Sequence, residues 1–318
     1  MNKTHPLIAI VIPCYNEEEV LPISIPEILQ LLDSMMNQGE IDAGSFILCC
    51  DDGSQDSTWS IISSMHRSDQ RVKGISLAHN RGHQNTLMAG LMTVRSLCDA
   101  AITIDADLQD APEAMKDMIG MFKNGRDIVY GVRNDRSSDP WFKRTSARLF
   151  YKFQNNMGLE TVYDHADYRL LSRRALELLS EYTERNLFLR GLIPQLGLSS
   201  GTVYYSRSAR AAGKTKYPLV KMLNFSIDGI TSFTSKPIRF IFITGLIFLI
   251  LDLLVGIWVL MAYFTGSAIS GWPSIMLSIW FLGSLILMSI GIVGEYIGKI
   301  FIEVKRRPLY AIKETMGL

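Results

Sequence analysis

Cysteine is scarce in this chain and is not arranged for metal or redox chemistry. The four cysteines, Cys14, Cys49, Cys50 and Cys98, show neither a C-x-x-C pair nor a zinc-type spacing. Three lie in or beside apolar runs that read as buried strands, and Cys98 follows a predicted helix. They are expected as small apolar core residues in a reducing compartment. Surplus charge is also missing. A net charge of +1 argues neither for nucleic acid nor for an acidic ligand. The polar start Met1 to Pro6 and the short apolar run Leu7 to Pro13 do not make a secretory signal. Internal repeats and low-complexity segments are lacking as well. One stretch is nearly free of charge: from Phe240 to Gly298 only Asp252 and Glu295 are charged. The hydrophobic fraction of 48% is therefore unevenly spread, and residues 1–235 have the mixed composition of a soluble domain.

The first part of the chain alternates short apolar runs with amphipathic stretches, the pattern of βαβ units. Leu7–Pro13, Phe46–Asp51, Val72–Leu77, Ala100–Asp105 and Ile128–Gly131 read as strands. Their near-continuous apolar character suits a parallel sheet covered on both faces. Glu18–Met36, Ser57–His66, Asn85–Leu97 and Pro112–Lys123 read as the intervening helices, with Asp56 as N-cap of the second and Pro112 in the first turn of the fourth. In open α/β sheets ligands bind beyond the carboxyl ends of the strands. Four consecutive predicted strand ends carry polar clusters: Pro13-Cys14-Tyr15-Asn16-Glu17, Asp51-Asp52-Gly53-Ser54, Asn80-Arg81-Gly82-His83 and Asp105-Ala106-Asp107. Four such clusters on one rim point to a binding crevice.

The fourth cluster is the most informative. Residues 102–109 read Ile-Thr-Ile-Asp-Ala-Asp-Leu-Gln. On an extended chain, positions i, i+2 and i+4 share a side, so Asp105, Asp107 and Gln109 are expected to converge beyond the strand. Carboxylate and amide oxygens suit Mg²⁺ or Mn²⁺, whose remaining ligands come from water and substrate phosphate. The competing reading is a solvated acidic turn.

Two apolar stretches, about 240–263 and about 275–297, each exceed the ~20 residues that span a bilayer as a helix. Phe264–Pro273 between them is short, uncharged and rich in Gly and Ser, which suits a tight hairpin loop. Lys236 and Arg239 precede the first span; Lys299, Lys305, Arg306 and Arg307 follow the second; the loop has neither Lys nor Arg. The positive-inside rule places both termini and the α/β domain in the cytoplasm of a multi-pass protein of the plasma or inner membrane, and Tyr263, Trp272 and Tyr296 suit interfacial belts. Asp252, inside the first span, is expected to face another helix, of this chain or of an oligomer partner. Residues 217–235 are amphipathic and fit either a domain helix or an interfacial one. The expected layout is a domain over 1–216, a juxtamembrane segment over 217–236, a transmembrane pair over 237–300 and a cytoplasmic tail over 301–318.

Together the motifs resemble the family 2 glycosyltransferases of GT-A fold, and more narrowly the polyprenyl-phosphate glycosyltransferases, which include bactoprenol glucosyltransferases and dolichol-phosphate mannose synthases. The matching elements are Val-Ile-Pro-Cys-Tyr-Asn-Glu-Glu (11–18), Asp-Asp-Gly-Ser-Gln-Asp-Ser-Thr (51–58), Asn-Arg-Gly-His-Gln (80–84) and Asp-Ala-Asp-Leu-Gln-Asp-Ala-Pro-Glu (105–113). Further matches are Gly-Val-Arg-Asn-Asp-Arg (131–136), Asp-His-Ala-Asp-Tyr-Arg-Leu (164–170) and Arg-Ala-Ala-Gly-Lys-Thr-Lys-Tyr (210–217). The resemblance implies a Rossmann-like, mostly parallel sheet followed by a two-helix membrane hairpin. It implies that Pro13, Tyr15 and Glu17 line the nucleotide pocket and that Asp52 contacts the base, with Asp51 close by. Asp105, Asp107 and Gln109 would hold the divalent ion, with Asp107 and Gln109 the nearer ligands and Asp105 either a third ligand or a contact to the ribose or sugar. Arg133, Arg136 and Arg148 would take the acceptor phosphate; Lys143 and Arg144 fit a lipid headgroup or solvated face equally well. Arg210, Lys214 and Lys216 would lie on a loop that closes over the donor diphosphate. Asp164 and Asp167 are expected to flank a turn in which Ala166 stands where the family usually has Gly, and Asp164 would orient the acceptor or the sugar hydroxyls. His83 fits a donor-phosphate contact or a structural role.

The implied activity is an inverting, metal-dependent transfer of a hexose from a nucleotide sugar, UDP-glucose first, to undecaprenyl or another polyprenyl phosphate at the cytoplasmic membrane face. GDP-mannose and UDP-N-acetylglucosamine are rival donors. A non-catalytic membrane scaffold or lipid-flipping accessory is the rival of a different class. A processive polysaccharide synthase is disfavoured because no Q-x-x-R-W motif is present. The implied lipid-linked product serves cell-surface glycan modification and calls for a separate flippase and a downstream transferase, and nucleic acid is not an expected partner.

Overall fold

A computed structural model describes residues 5–133, 165–206 and 271–318, with isolated positions between 241 and 254. The elements of the first stretch are β1 (Ile8–Cys14), α1 (Leu21–Asn37), β2 (Phe46–Asp51), α2 (Thr58–Ser68), β3 (Val72–Leu77), α3 (His83–Val94), β4 (Ala100–Thr103), α4 (Ala114–Lys123) and β5 (Ile128–Arg133). After them come β6 (His165–Ser172), α5 (Arg173–Glu181), α6 (Leu189–Gln195), β7 (Ser200–Tyr205), α7 (Trp272–Lys305) and β8 (Ile312–Met316).

The strands form one eight-stranded sheet in the order β7-β5-β6-β4-β1-β2-β3-β8. β1, β2, β3 and β4 are mutually parallel, as is β5 with β7, while β6 and β8 run antiparallel to their neighbours. The parallel strands are apolar because both faces are covered: every residue of β1 and β2 is buried. α1 buries Leu21, Ile25, Ile28, Leu32 and Met35, one helical stripe against the sheet. α3 approaches the other face so closely that a Cβ at Gly90 would lie 2.5 Å from both Cys50 Sγ and Val11 Cγ1. The cysteines are all buried core residues, as expected.

Several expectations need correction. β4 stops at Thr103 rather than running to Asp105. α3 begins at His83, two residues earlier than its periodicity suggests, and α4 begins at Ala114, beyond Pro112. Ser57, not Asp56, stands immediately before α2, yet Asp56 Oδ1 still accepts the Thr58 N–H at 3.0 Å. Residues 312–316, expected in a tail, form the edge strand β8. Trp59 Nε1 donates to Glu314 Oε2 at 2.9 Å, and Ala78 N–H donates to Ala311 O at 2.9 Å.

The chain divides into two compact units, one built on the sheet and including Arg307–Leu318, the other containing α7. Among the described residues one helical segment, Phe281–Lys305, is long and apolar enough to cross a membrane. Its Ile286, Leu287, Ile290 and Val304 side chains are exposed. The expected span of about 275–297 falls inside α7. The other expected span, about 240–263, lies mostly outside the described residues; positions 241, 243, 245, 247, 250 and 254 are helical. Asp252 and residues 217–236 also lie outside them.

Candidate active site

The strand order reverses at β1, which has β2 on one side and β4 on the other. Open α/β sheets bind ligands outside the carboxyl ends at such a point. The loops there are 15–20, 52–57 and 104–113.

The first two loops are bolted together. Asn16 sits in the left-handed region at φ 53, which a short polar side chain tolerates. Its N–H donates to Ser54 Oγ at 3.0 Å, and its Oδ1 accepts the Gln55 N–H at 2.9 Å. Glu17 N–H donates to Thr58 Oγ1 at 2.9 Å, and Glu18 accepts the Ser57 N–H at 3.0 Å. Pro13 is buried at the end of β1, Tyr15 is exposed and Glu17 is half-buried.

The Asp51-Asp52 pair also organises the loop that follows β3. Asp51 accepts the Ser54 N–H at 3.1 Å and the Ser76 hydroxyl at 2.8 Å. Asp52, only 3% exposed, accepts the Arg81 N–H at 2.7 Å on one oxygen and the Gly82 N–H at 2.9 Å on the other. Each oxygen keeps a second lone pair, so a base contact would add to this role, not replace it. Gly53 has φ 66, and a Cβ there would lie 2.9 Å from the His79 backbone. The turn therefore requires glycine on both grounds.

Beyond β4 the backbone turns instead of extending. Leu108 N–H donates to Asp105 O at 3.3 Å, and Leu108 has φ 45, uncommon for a branched apolar residue. Burial of its side chain in the core holds it there. Asp105, Asp107 and Gln109 thus share a tight turn, not one side of a strand, which corrects the expected geometry. Gln109 is buried, and its N–H donates to Asp107 Oδ1 at 3.3 Å. His83 Nε2 lies 3.1 Å from Asp105 Oδ1. Burial disfavours charge on the imidazole, but Asp105 outweighs it and lifts the His83 pKa. Burial would likewise raise the Asp105 carboxyl, and His83 brings it below its ordinary value. Of the two readings of His83, its observed partner is a carboxylate of the acidic turn.

Asp167 does not flank a turn: it lies within β6. Its carboxylate pairs with Arg169, which is 1% exposed, and accepts from Arg190 Nε at 3.2 Å and Nη2 at 2.9 Å. Burial alone would raise the Asp167 carboxyl; the Arg190 and Arg169 guanidiniums hold it well below the usual carboxylate range. α6 is fastened to the rim by Leu189 N–H, which donates to Gln84 Oε1 at 3.0 Å.

Asp110 is 2% exposed. Its Oδ1 accepts from Arg133 Nε at 3.0 Å and Nη2 at 2.9 Å, and from the Tyr205 hydroxyl at 2.7 Å. Tyr168 stacks edge-on against Tyr205 with centroids 5.3 Å apart, and its hydroxyl donates to Ala111 O at 3.1 Å.

Residues 9–179 match the family model described as glycosyl transferase family 2. The chain belongs to that family. A Bacillus subtilis (strain 168) protein, the uncharacterized glycosyltransferase YkoT, is 47% identical over 312 residues, covering 98% of this chain and 93% of its own. The SfII prophage-derived bactoprenol glucosyl transferase of Shigella flexneri is 37% identical, with 97% of this chain and 98% of that one covered. An Escherichia coli (strain K12) prophage bactoprenol glucosyl transferase homolog is also 37% identical, with 97% and 99% covered.

As a family 2 glycosyltransferase, the chain brings to one rim Pro13, Tyr15, Glu17, Asp51, Asp52, Asp105, Asp107 and Gln109, each on a strand end or the turn that follows it, and His83 at the start of α3. Arg133 ends β5 and is held by Asp110. Asp164, Arg136, Lys143, Arg144, Arg148, Arg210, Lys214 and Lys216 lie outside the described residues. Among the described residues, no group of three or more His, Cys, Asp and Glu is arranged to hold a metal. The turn itself offers the Asp105 and Asp107 carboxylates and the Gln109 amide as oxygen donors. Such a donor set fits Mg²⁺ or Mn²⁺, which keep water and phosphate oxygens as ligands. Sequence reasoning missed Asp110, Arg190 and Tyr205. Only Asp110 carried a signal, as the acid that closes the Asp-Ala-Asp-Leu-Gln-Asp run.

Proposed function

We propose that this glycosyltransferase moves a hexose, first of all glucose from UDP-glucose, onto a polyprenyl phosphate at the cytoplasmic membrane face with inversion at the anomeric carbon. The observation that carries this reading is the 37% identity to bactoprenol glucosyl transferase, which runs over 97% of the chain and so covers both the catalytic domain and the apolar helix. The exposed apolar face of α7 supports a membrane location, and the helical positions between 241 and 254 support a second span.

In this reading the loops after β1 and β2 hold the nucleoside, and the turn after β4 faces the diphosphate. A divalent ion held by Asp107 and Gln109, with Asp105 as third ligand, would neutralise charge developing on the leaving diphosphate. Arg133 presents its guanidinium to the acceptor phosphate. An acceptor phosphate oxygen attacks the anomeric carbon in line. The carbon–oxygen bond to the diphosphate breaks with its electron pair going to the nucleoside diphosphate, giving a β-linked sugar phosphate lipid. Because the second ionisation of a phosphate monoester lies near ~6, the nucleophile is already anionic and needs no strong base. Asp164 orients it or the sugar.

The test uses full-length enzyme in membranes with undecaprenyl phosphate, Mg²⁺ or Mn²⁺, and labelled UDP-glucose, UDP-N-acetylglucosamine and GDP-mannose. A glycolipid of one hexose mass is expected with UDP-glucose, and the Asp107→Asn variant should fold but make none. Product from GDP-mannose or UDP-N-acetylglucosamine alone would replace the donor assignment. No glycolipid from any donor would overturn the reading in favour of a scaffold.

A further inference from the structure

The buried acid that closes the metal turn does no evident chemistry of its own. Asp110 is three residues beyond Asp107, and its carboxylate faces away from water into a cluster of Arg133, Tyr168 and Tyr205. A buried carboxylate is costly unless its lone pairs are met. Here three donors converge on Oδ1: Arg133 Nε, Arg133 Nη2 and the Tyr205 hydroxyl. These bonds tie three elements to one oxygen. Arg133 ends β5, Tyr205 ends β7, and Asp110 follows the turn after β4. The arginine itself is not sequestered, since its side chain is 31% exposed.

A guanidinium has five N–H donors in a rigid fork. With the Nε–Nη2 edge committed to Asp110 and the Tyr205 hydroxyl beside it, the guanidinium meets no second carboxylate among the described residues, and its Nη1–Nη2 edge can take another oxyanion. Bidentate phosphate recognition needs a guanidinium held in a fixed orientation. An arginine on an otherwise open strand end would lose rotamer entropy on binding; one already held by a buried acid has lost it on folding.

We infer that Asp110 is a positioning residue, braced by Tyr205, that sets Arg133 to receive the phosphate monoester of the acceptor and links the acceptor site to the turn that faces the donor. This rests on the proposed transfer to a lipid phosphate. Neither Asp110 nor Tyr205 touches substrate. Their effect is felt in acceptor binding, through Arg133.

The test is steady-state kinetics of full-length membrane enzyme, varying undecaprenyl phosphate and nucleotide sugar separately. Asp110→Asn removes the charge that holds the Arg133 fork and should raise the acceptor KM about tenfold or more. Tyr205→Phe should raise it several-fold, with the donor KM within about twofold of wild type for both. In an Arg133→Gln background, Tyr205→Phe should have no further effect on acceptor KM, because the group it steadies is gone. Wild type without activity on any lipid phosphate would sink the transfer reading itself. An active wild type whose variants keep an unchanged acceptor KM, or lose kcat alone, would overturn the positioning role. If Asp110→Asn does not fold, Tyr205→Phe and its combination with Arg133→Gln decide the matter.

Discussion

Asp167 shows how much one side chain can hold in this fold. A buried guanidinium is tolerated only when paired, and Arg169 is buried in β6 with Asp167 as its ion-pair partner. The same carboxylate also receives the fork of Arg190, so a core strand and α6 depend on it. Removing one member of a buried pair costs roughly 3–5 kcal/mol, and Asp167→Ala should lower the unfolding free energy by about that amount at pH 7 in urea titrations. The pH dependence follows from the direction of the shift. The folded carboxyl lies below the unfolded value of about 3.9, so its stabilisation is complete above that pH and is lost as pH falls towards the folded pKa. The gap between wild type and variant should therefore stay level from pH 7 to pH 5 and narrow below about pH 4. A gap of the same size at pH 3 would mean that the ion pairs are not its origin. Gly53 is a second test at this scale. An alanine there meets the His79 backbone and takes a positive φ, so Gly53→Ala should cost about 1–3 kcal/mol, and circular dichroism melts of the two proteins measure it.

At the scale of elements, the exposed pairing edge of the sheet matters most. β8 covers β3 along Gly74 to Leu77 and is fixed by Trp59 and Glu314. Without it β3 would present unpaired N–H and C=O groups, a template for another chain. A chain ending at residue 308 should therefore aggregate more readily after detergent extraction than the full chain, as read by size-exclusion chromatography. An unchanged elution profile would make β8 dispensable. Ile312–Met316 was invisible in the sequence for a physical reason. As an exposed antiparallel edge it reads Ile-Lys-Glu-Thr-Met, with no apolar run to mark it. β6 was hidden differently, because its buried positions include the paired charges Asp167 and Arg169. β1 to β5, by contrast, were legible because strands covered on both faces must be apolar throughout. The rim was legible for the same reason, since polar clusters stand out where such runs end. The turn at Leu108 was not, because an extended reading of Asp-Ala-Asp-Leu-Gln gives no hint of a left-handed residue held by the core. Asp110 and Tyr205, 95 residues apart, meet only through the sheet order.

For the whole molecule, the decisive property is the apolar surface of α7. Ile286, Leu287, Ile290, Ile297, Ile300 and Val304 along Phe281–Lys305 are exposed, and an apolar patch of that length is costly in water. A bilayer removes the cost, and the basic residues Lys305, Arg306 and Arg307 at the helix end suit an anionic headgroup layer. This can be tested without any assay of activity. Wild type should stay with the membrane pellet after carbonate extraction. Ile286 and Ile290 lie on the exposed surface near the middle of the helix. Arginine at the centre of a span costs about 2.5–3.5 kcal/mol per residue on insertion scales. Ile286→Arg with Ile290→Arg should then move much of the protein to the soluble fraction or into aggregates. A wild type released by carbonate would show that α7 does not span the bilayer. The apolar face would then need a protein partner, and the proposed use of a lipid phosphate would require attachment to the membrane surface by another part of the chain.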